Sequence, residues 1–176
     1  MKRFWQASLF LSVAALAVAA GFYLNPVTRD GGGADEIDAR AVLTSPLADL
    51  RGESRRLEEW AGKVLVVNFW ATWCPPCLEE IPIFIGMQER LGDRGLQFVG
   101  IAIDDLERVR VFVDRQGLNY PTLVGQADAM ALSDLAGNAR GGLPYTLVFD
   151  RSGEILSRHY GALTRQKLES IVLPAL

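Results

Sequence analysis

A nearly unbroken apolar run, Lys63-Val64-Leu65-Val66-Val67-Asn68-Phe69-Trp70, ends just before a Cys-x-x-Cys pair that opens a helical pattern. Runs of this kind mark strands buried on both faces, as in the middle of a helix-covered sheet. That junction alone points to an α/β chain. A helix is expected from Pro76 to Leu91, and a second buried strand over Leu96–Ile103. Asp104, with Glu107 three residues on, reads as the capping box of a further helix. Leu106, Val109, Phe112 and Val113 give that helix an apolar face. A third helix is expected near Asp128–Leu135. Tyr145–Phe149 and Ile155–Tyr160 read as a hairpin across Asp150-Arg151-Ser152-Gly153. Thr164 can cap a last helix whose apolar face is Leu168, Ile171 and Val172. This order implies a central mixed sheet flanked by helices.

Composition removes several classes of function. Hydrophobic residues make up 49% and charged residues 22%, a globular balance. A net charge of −3 lacks the positive field that draws nucleic acid, so no nucleic-acid partner is expected. Two cysteines and one histidine, His159, do not complete a structural zinc site.

The first residues stand apart. Lys2 and Arg3 precede Phe4–Leu24, a stretch without charge. As a helix it would span roughly 30 Å, enough to cross a bilayer's hydrocarbon core. The positive-inside rule keeps Lys2 and Arg3 in the cytoplasm and sends the rest across. Ala15-Leu16-Ala17 and Ala17-Val18-Ala19 also read as signal-peptide cleavage sites. The run continues through Phe22-Tyr23-Leu24, which favours an uncleaved anchor. Residues 1–24 are thus expected to be a membrane anchor or signal peptide. Residues 25–41, with Asn25-Pro26 and Gly31-Gly32-Gly33, read as a flexible linker, and 42–176 as the folded domain.

The chemistry rests on Trp73-Cys74-Pro75-Pro76-Cys77. Two cysteines three apart on a first helical turn bring their sulfurs within bonding reach. Cys74 falls at the helix N-terminus, where free N–H groups and the dipole favour the thiolate. Cys77, one turn inside, is shielded and suits a resolving thiol. Pro76 at N1 or N2 loses no hydrogen bond. Half a metal site or a structural staple would use the same spacing. The strand before and helix after favour the redox reading.

Residues 66–82, VVNFWATWCPPCLEEIP, resemble the active-site segment of the thioredoxin superfamily. They are most similar to its membrane-anchored TlpA/ResA/CcmG-like thiol–disulfide oxidoreductases. The resemblance covers about residues 42–176. Trp70, Trp73, Cys74, Cys77 and Pro82 fall on that pattern, with Pro82 at the kink of the active-site helix. It implies a thioredoxin fold with an extra strand–helix insertion within 104–136. It implies a redox-active Cys74–Cys77 disulfide supported by Trp73 and Pro76, with no cofactor and no metal. Gly142-Leu143-Pro144-Tyr145-Thr146 resembles the segment of the family's cis-proline, Pro144, which faces the cysteines and pairs with substrate backbone. Gly161-Ala162-Leu163-Thr164 resembles the closing turn.

Two positions depart from cytoplasmic thioredoxins. Asn68 stands where those carry a buried aspartate, and Glu80 stands three residues after Cys77, where the ResA-like branch carries a glutamate. The resemblance implies that Glu80 accepts the proton of the inner cysteine and tunes the substrate cavity; a solvated helix glutamate is the other reading of the same position. Glu80 shares a helix face with Cys77, whereas Glu79 is turned to solvent. Trp73 is expected to join an exposed apolar docking surface. Trp60 reads as packing residue, His159 as an exposed strand residue, and Met87 and Met130 as helix positions without a copper role.

The implied activity is periplasmic, tied to the inner membrane through residues 4–24. It reduces disulfides in clients such as apocytochromes c or copper-site proteins, with electrons from a membrane thiol donor. A DsbA-like oxidase would need a long helical domain for which there is no room. A peroxiredoxin would need another cysteine context. The alternative from a different class is a thioredoxin-fold copper chaperone. That reading expects a C-x-x-x-C pair and a histidine before the proline, where this chain has Leu143.

Overall fold

The computed structural model describes residues 37–176. The expected anchor at 4–24 and the glycines at 31–33 lie outside them. Among the described residues no helix is long and apolar enough to cross a membrane.

The elements, in chain order, are α1 (Ala39–Thr44), β1 (Leu47–Asp49), β2 (Ser54–Arg55), β3 (Val64–Trp70), α2 (Pro75–Leu91), β4 (Leu96–Ile103), α3 (Leu106–Gln116), β5 (Thr122–Gly125), α4 (Ala127–Leu135), β6 (Tyr145–Phe149), β7 (Ile155–Tyr160) and α5 (Arg165–Val172). They build one seven-stranded sheet in the order β2-β1-β5-β4-β3-β6-β7. β3, β4 and β5 run parallel to one another. β6 and β7 on one side, and β1 and β2 on the other, are antiparallel additions.

β3 and β4 are buried along their whole length, as their apolar runs require. Alternation sorts their side chains onto two faces. Leu65, Val67 and Phe69 join Val99, Ile101 and Ile103 beneath Val42 of α1 and Ala129 and Leu132 of α4. Val64 and Val66 join Leu96 and Phe98 beneath Phe84 and Met87 of α2 and Leu168 and Val172 of α5. Trp70 falls on this second face and packs with Cys77, Ile81 and Val109. Asn68 has the same parity, so a polar side chain is directed at α2.

Phe84 is fully buried and stacks on Phe98 with ring centroids 5.0 Å apart. Phe84→Ala should cost about 3–5 kcal/mol, because α2 and β4 cannot both close on the vacated volume. A chemical-denaturation midpoint shift in the disulfide form checks this.

Two boundaries differ from the sequence reading. The domain begins ahead of residue 42: α1 starts at Ala39, and Asp38 caps it by accepting from the Ala41 N–H at 3.0 Å. Burial of Val42 ties this short helix to the core, so residues 38–41 are not linker. Asp104 is not the cap of α3. Asp105 takes that place, accepting from the N–H groups of Glu107 and Arg108. Asp104 is occupied elsewhere. Adjacent aspartates offer two equally good caps, and only the path of the chain after β4 chooses between them. The stretch 104–136, expected to carry an extra strand and helix, holds α3, β5 and α4. The hairpin of β6 and β7 and the Thr164 cap of α5 stand where expected. Gly153 takes φ +90° in the hairpin turn, which a side chain would disfavour.

Candidate active site

Parallel β3 delivers the chain to the C-terminal edge of the sheet, where Ala71-Thr72-Trp73 turns it into α2. Cys74 is the N-cap, Pro75 is N1 and Pro76 is N2. Both prolines therefore stand where helix N–H groups have no partner to lose. The Cys74 carbonyl accepts from the N–H groups of Cys77 at 3.0 Å and Leu78 at 3.2 Å, which starts the helix. Its own N–H donates to Ala71 O at 3.2 Å.

Cys74 and Cys77 are joined in a disulfide, with Cα atoms 5.3 Å apart. Cys74 is 4% exposed and Cys77 wholly buried. Trp73 is 63% exposed beside them. No acidic residue lies in the first turn of α2 to oppose a thiolate at its N-terminus.

Behind Cys77, one turn along α2, the Glu80 carboxyl is buried to 1% exposure. Asn68 Nδ2 donates to Glu80 Oε1 at 2.7 Å and to Thr146 Oγ1 at 3.0 Å. The Leu163 N–H donates to Glu80 Oε2 at 2.8 Å. Burial pushes the Glu80 pKa up to about 7, against the opposing pull of the Leu163 and Asn68 hydrogen bonds. Asn68 thus acts as the donor that positions a titrating carboxyl. Glu79 is exposed, as its helix angle requires.

The Leu143–Pro144 bond is cis, and Pro144 is buried. Leu143 packs against the cluster that holds both cysteines. The loop before it is tied down from several sides. Tyr145 and Tyr160 hydroxyls each donate at 2.7 Å, to the carbonyls of Ala136 and Gly137. Asn138 Nδ2 donates to Ser133 Oγ and to Gly142 O, both at 2.9 Å. After Pro144, its carbonyl accepts from the Gly161 N–H of the closing turn at 2.9 Å. Cys74, Cys77, Trp73, Pro76 and Glu80 share one segment, and Leu143 brings the Pro144 loop to it.

Other residues fall elsewhere. His159 is half-buried in β7, opposite Thr146. Met87 is core and Met130 is exposed on α4. Trp60 packs against the core with Arg55 over its ring at 5.4 Å. Among the described residues no group of three or more His, Cys, Asp or Glu is placed to hold a metal ion. Two participants escaped the sequence reading: Thr146, and the carboxylate of Asp104, whose pairing with Thr72 crosses between strands.

The Redoxin family model matches residues 35–172. The thiol-disulfide oxidoreductase ResA of Halalkalibacterium halodurans is 33% identical over 97% of this chain and 94% of its own. The thioredoxin-like protein YneN of Bacillus subtilis is 32% identical over 70% of this chain and 71% of its own. Among solved structures, a thioredoxin-family thiol:disulfide interchange protein from Chlorobium tepidum superposes with a TM-score of 0.66. It is 31% identical and covers 74% of this chain and 91% of that one. A cysteine pair at a helix N-terminus, on this sheet and with these relatives, performs thiol–disulfide exchange: the chain belongs to the Redoxin family, as a ResA-like thiol-disulfide oxidoreductase of thioredoxin-like fold.

Proposed function

We propose that this protein is a dedicated reductant of client disulfides outside the cytoplasm, held at the inner membrane by residues 4–24. The observation that carries the reading is the placement of Glu80. A carboxyl with a pKa of about 7 stands one turn behind the buried Cys77, where a proton must be removed. In the dithiol form the Cys74 thiolate attacks a client sulfur, and the client's other sulfur leaves as thiolate. Cys77 then gives its proton to Glu80 and attacks Cys74 Sγ. The second client sulfur departs and takes up a proton. Two electrons have moved to the client, and the Cys74–Cys77 disulfide remains. Trp73 and the Leu143-Pro144 segment offer the client a partly apolar seat beside the sulfurs.

The periplasm is kept oxidising, so a reductant there needs a supply of electrons. A membrane thiol donor fits that need. Apocytochromes c and copper-site proteins, whose cysteines must be reduced before ligation, fit as clients. The uncharged run at 4–24 after Lys2-Arg3 supports an anchor with the domain on the outer side.

The test is the Cys74–Cys77 reduction potential, read through tryptophan fluorescence in a series of thiol–disulfide buffers. A fragment for this purpose should begin near Asp35, because α1 belongs to the compact unit. Thioredoxin lies at roughly −270 mV and DsbA at roughly −120 mV. A value in the lower half of that interval is expected. A value at the DsbA end would reverse the direction of electron flow proposed here.

A further inference from the structure

We propose that Asp104 is a positioning residue for the exchange reaction: its buried carboxylate clasps Thr72 and holds the Thr72-Trp73-Cys74 turn in place when the Cys74–Cys77 bond is open. The inference rests on Cys74 being the attacking thiol.

The clasp follows from the register of two parallel strands. Trp70 pairs with Ala102, so the chain leaves β3 and β4 side by side. Two residues further on, Thr72 meets Asp104. Oδ2 of Asp104 accepts from the Thr72 N–H at 3.0 Å and from its hydroxyl at 2.5 Å. Oδ1 accepts from the Asp105 N–H at 2.7 Å, and Arg108 Nη1 lies 3.9 Å away. The Asp104 side chain is only 3% exposed. Burial would raise its pKa, yet the Thr72 and Asp105 hydrogen bonds outweigh that and hold it below the usual carboxylate value. The group is therefore an anion with both oxygens engaged.

A buried charge of this kind is costly unless it is hydrogen-bonded, and here the Thr72 N–H, the Thr72 hydroxyl and the Asp105 N–H satisfy it. It ties the end of β4 to one residue of the active-site turn. Trp73, between Thr72 and Cys74, is mostly exposed and offers this turn little packing. In the oxidised chain the disulfide itself fastens Cys74 to α2. In the dithiol form that fastening is gone, and Cys74 is left with its backbone bonds to Ala71, Cys77 and Leu78 and its packing in the cluster of Trp70 and Ile81. The Thr72–Asp104 pair then holds the approach to the N-cap, so that the Cys74 thiolate stays at the positive end of the α2 dipole, with no acidic residue in the first turn to oppose it.

The test uses the full chain in detergent, reduced, with two readouts. One is the titration of the Cys74 thiolate by its ultraviolet absorbance. The other is the rate of its reaction with a small symmetric disulfide at neutral pH. Thr72→Val keeps shape and charge but removes the hydroxyl. It should raise the titration midpoint and slow exchange about tenfold, equivalent to about 1.4 kcal/mol. Thr72→Ser should restore the rate to within about twofold, since serine keeps the hydroxyl donor. Asp104→Ala should slow exchange at least as much as Thr72→Val, and should destabilise the dithiol form more than the disulfide form. A purely structural clasp would lower stability equally in both redox forms and leave the titration where it was. A parental rate and midpoint in Thr72→Val overturn the proposal, as does a Thr72→Ser variant as slow as Thr72→Val. A parental chain that does not exchange at all removes the activity itself, a result distinct from an indifferent Thr72→Val in an active parent.

Discussion

Cys74→Ser should abolish disulfide reduction, while Cys77→Ser should stop after the first exchange and accumulate a mixed disulfide with the client. A serine hydroxyl is not ionised at neutral pH, so replacing the attacking thiolate should cost on the order of a thousandfold or more in turnover. The asymmetry follows from the fold. Cys74 is the N-cap at the edge of the site, and Cys77 lies one turn deeper and wholly buried. Only the outer sulfur is placed to meet another protein's disulfide. Mass spectrometry of Cys77→Ser incubated with a disulfide-bearing protein reads the trapped adduct directly. An adduct that forms with Cys74→Ser but not with Cys77→Ser would exchange the two roles.

The second large effect concerns pH. The Glu80 carboxyl titrates near 7 in the folded chain against an ordinary value of 4.5. The folded protein therefore holds a proton that the unfolded chain has released between those values. Stability must fall as pH rises through that window, and the full cost is reached above pH 7. The shift corresponds to about 3 kcal/mol. Glu80→Gln should remove this slope. Glutamine matches the shape, and a flip of the Asn68 amide would let its oxygen accept from the new amide and from the Thr146 hydroxyl. Unfolding of the disulfide form, measured for both proteins across this range, should show the parent losing ground to Glu80→Gln as pH rises. Parallel curves would mean that Glu80 keeps its ordinary carboxyl value in the folded chain, and that burial has not made it a stronger proton acceptor for Cys77. A companion measurement is the resolving step, whose rate in the parent should follow the titration of Glu80 and in Glu80→Gln should not.

The legible part of this chain was the part with a strong local signal. The apolar runs at 64–70 and 96–103 can be buried on both faces only inside a sheet covered by helices. The Cys-Pro-Pro-Cys segment can open a helix without losing a hydrogen bond. The weakly marked pieces were not legible. β1 and β2 have three and two residues, too few to show a period, and they exist only because β1 finds β5 beside it. α1 has six residues and is held by the burial of Val42 rather than by its own propensity. The choice between Asp104 and Asp105 as helix cap has the same origin, because both satisfy the local rule.

The site divides along the same line. Which atoms do the chemistry, two cysteine sulfurs on the first turn of a helix after a buried strand, is a property of short-range sequence. Spacing along one helix also sets Glu80 beside Cys77. What Glu80 becomes is a property of the assembled sheet. Its burial comes from packing; its partners Asn68 and Leu163 come from β3 and the closing turn, and Thr146 of β6 holds Asn68 in turn. The clasp of Asp104 on Thr72 likewise needs two strands in register. A residue's identity and helical angle are local, but its dielectric surroundings and its partners across the sheet are not. The sequence therefore determined where the reaction happens, and the tertiary structure alone decided how its protons and its nucleophile are held.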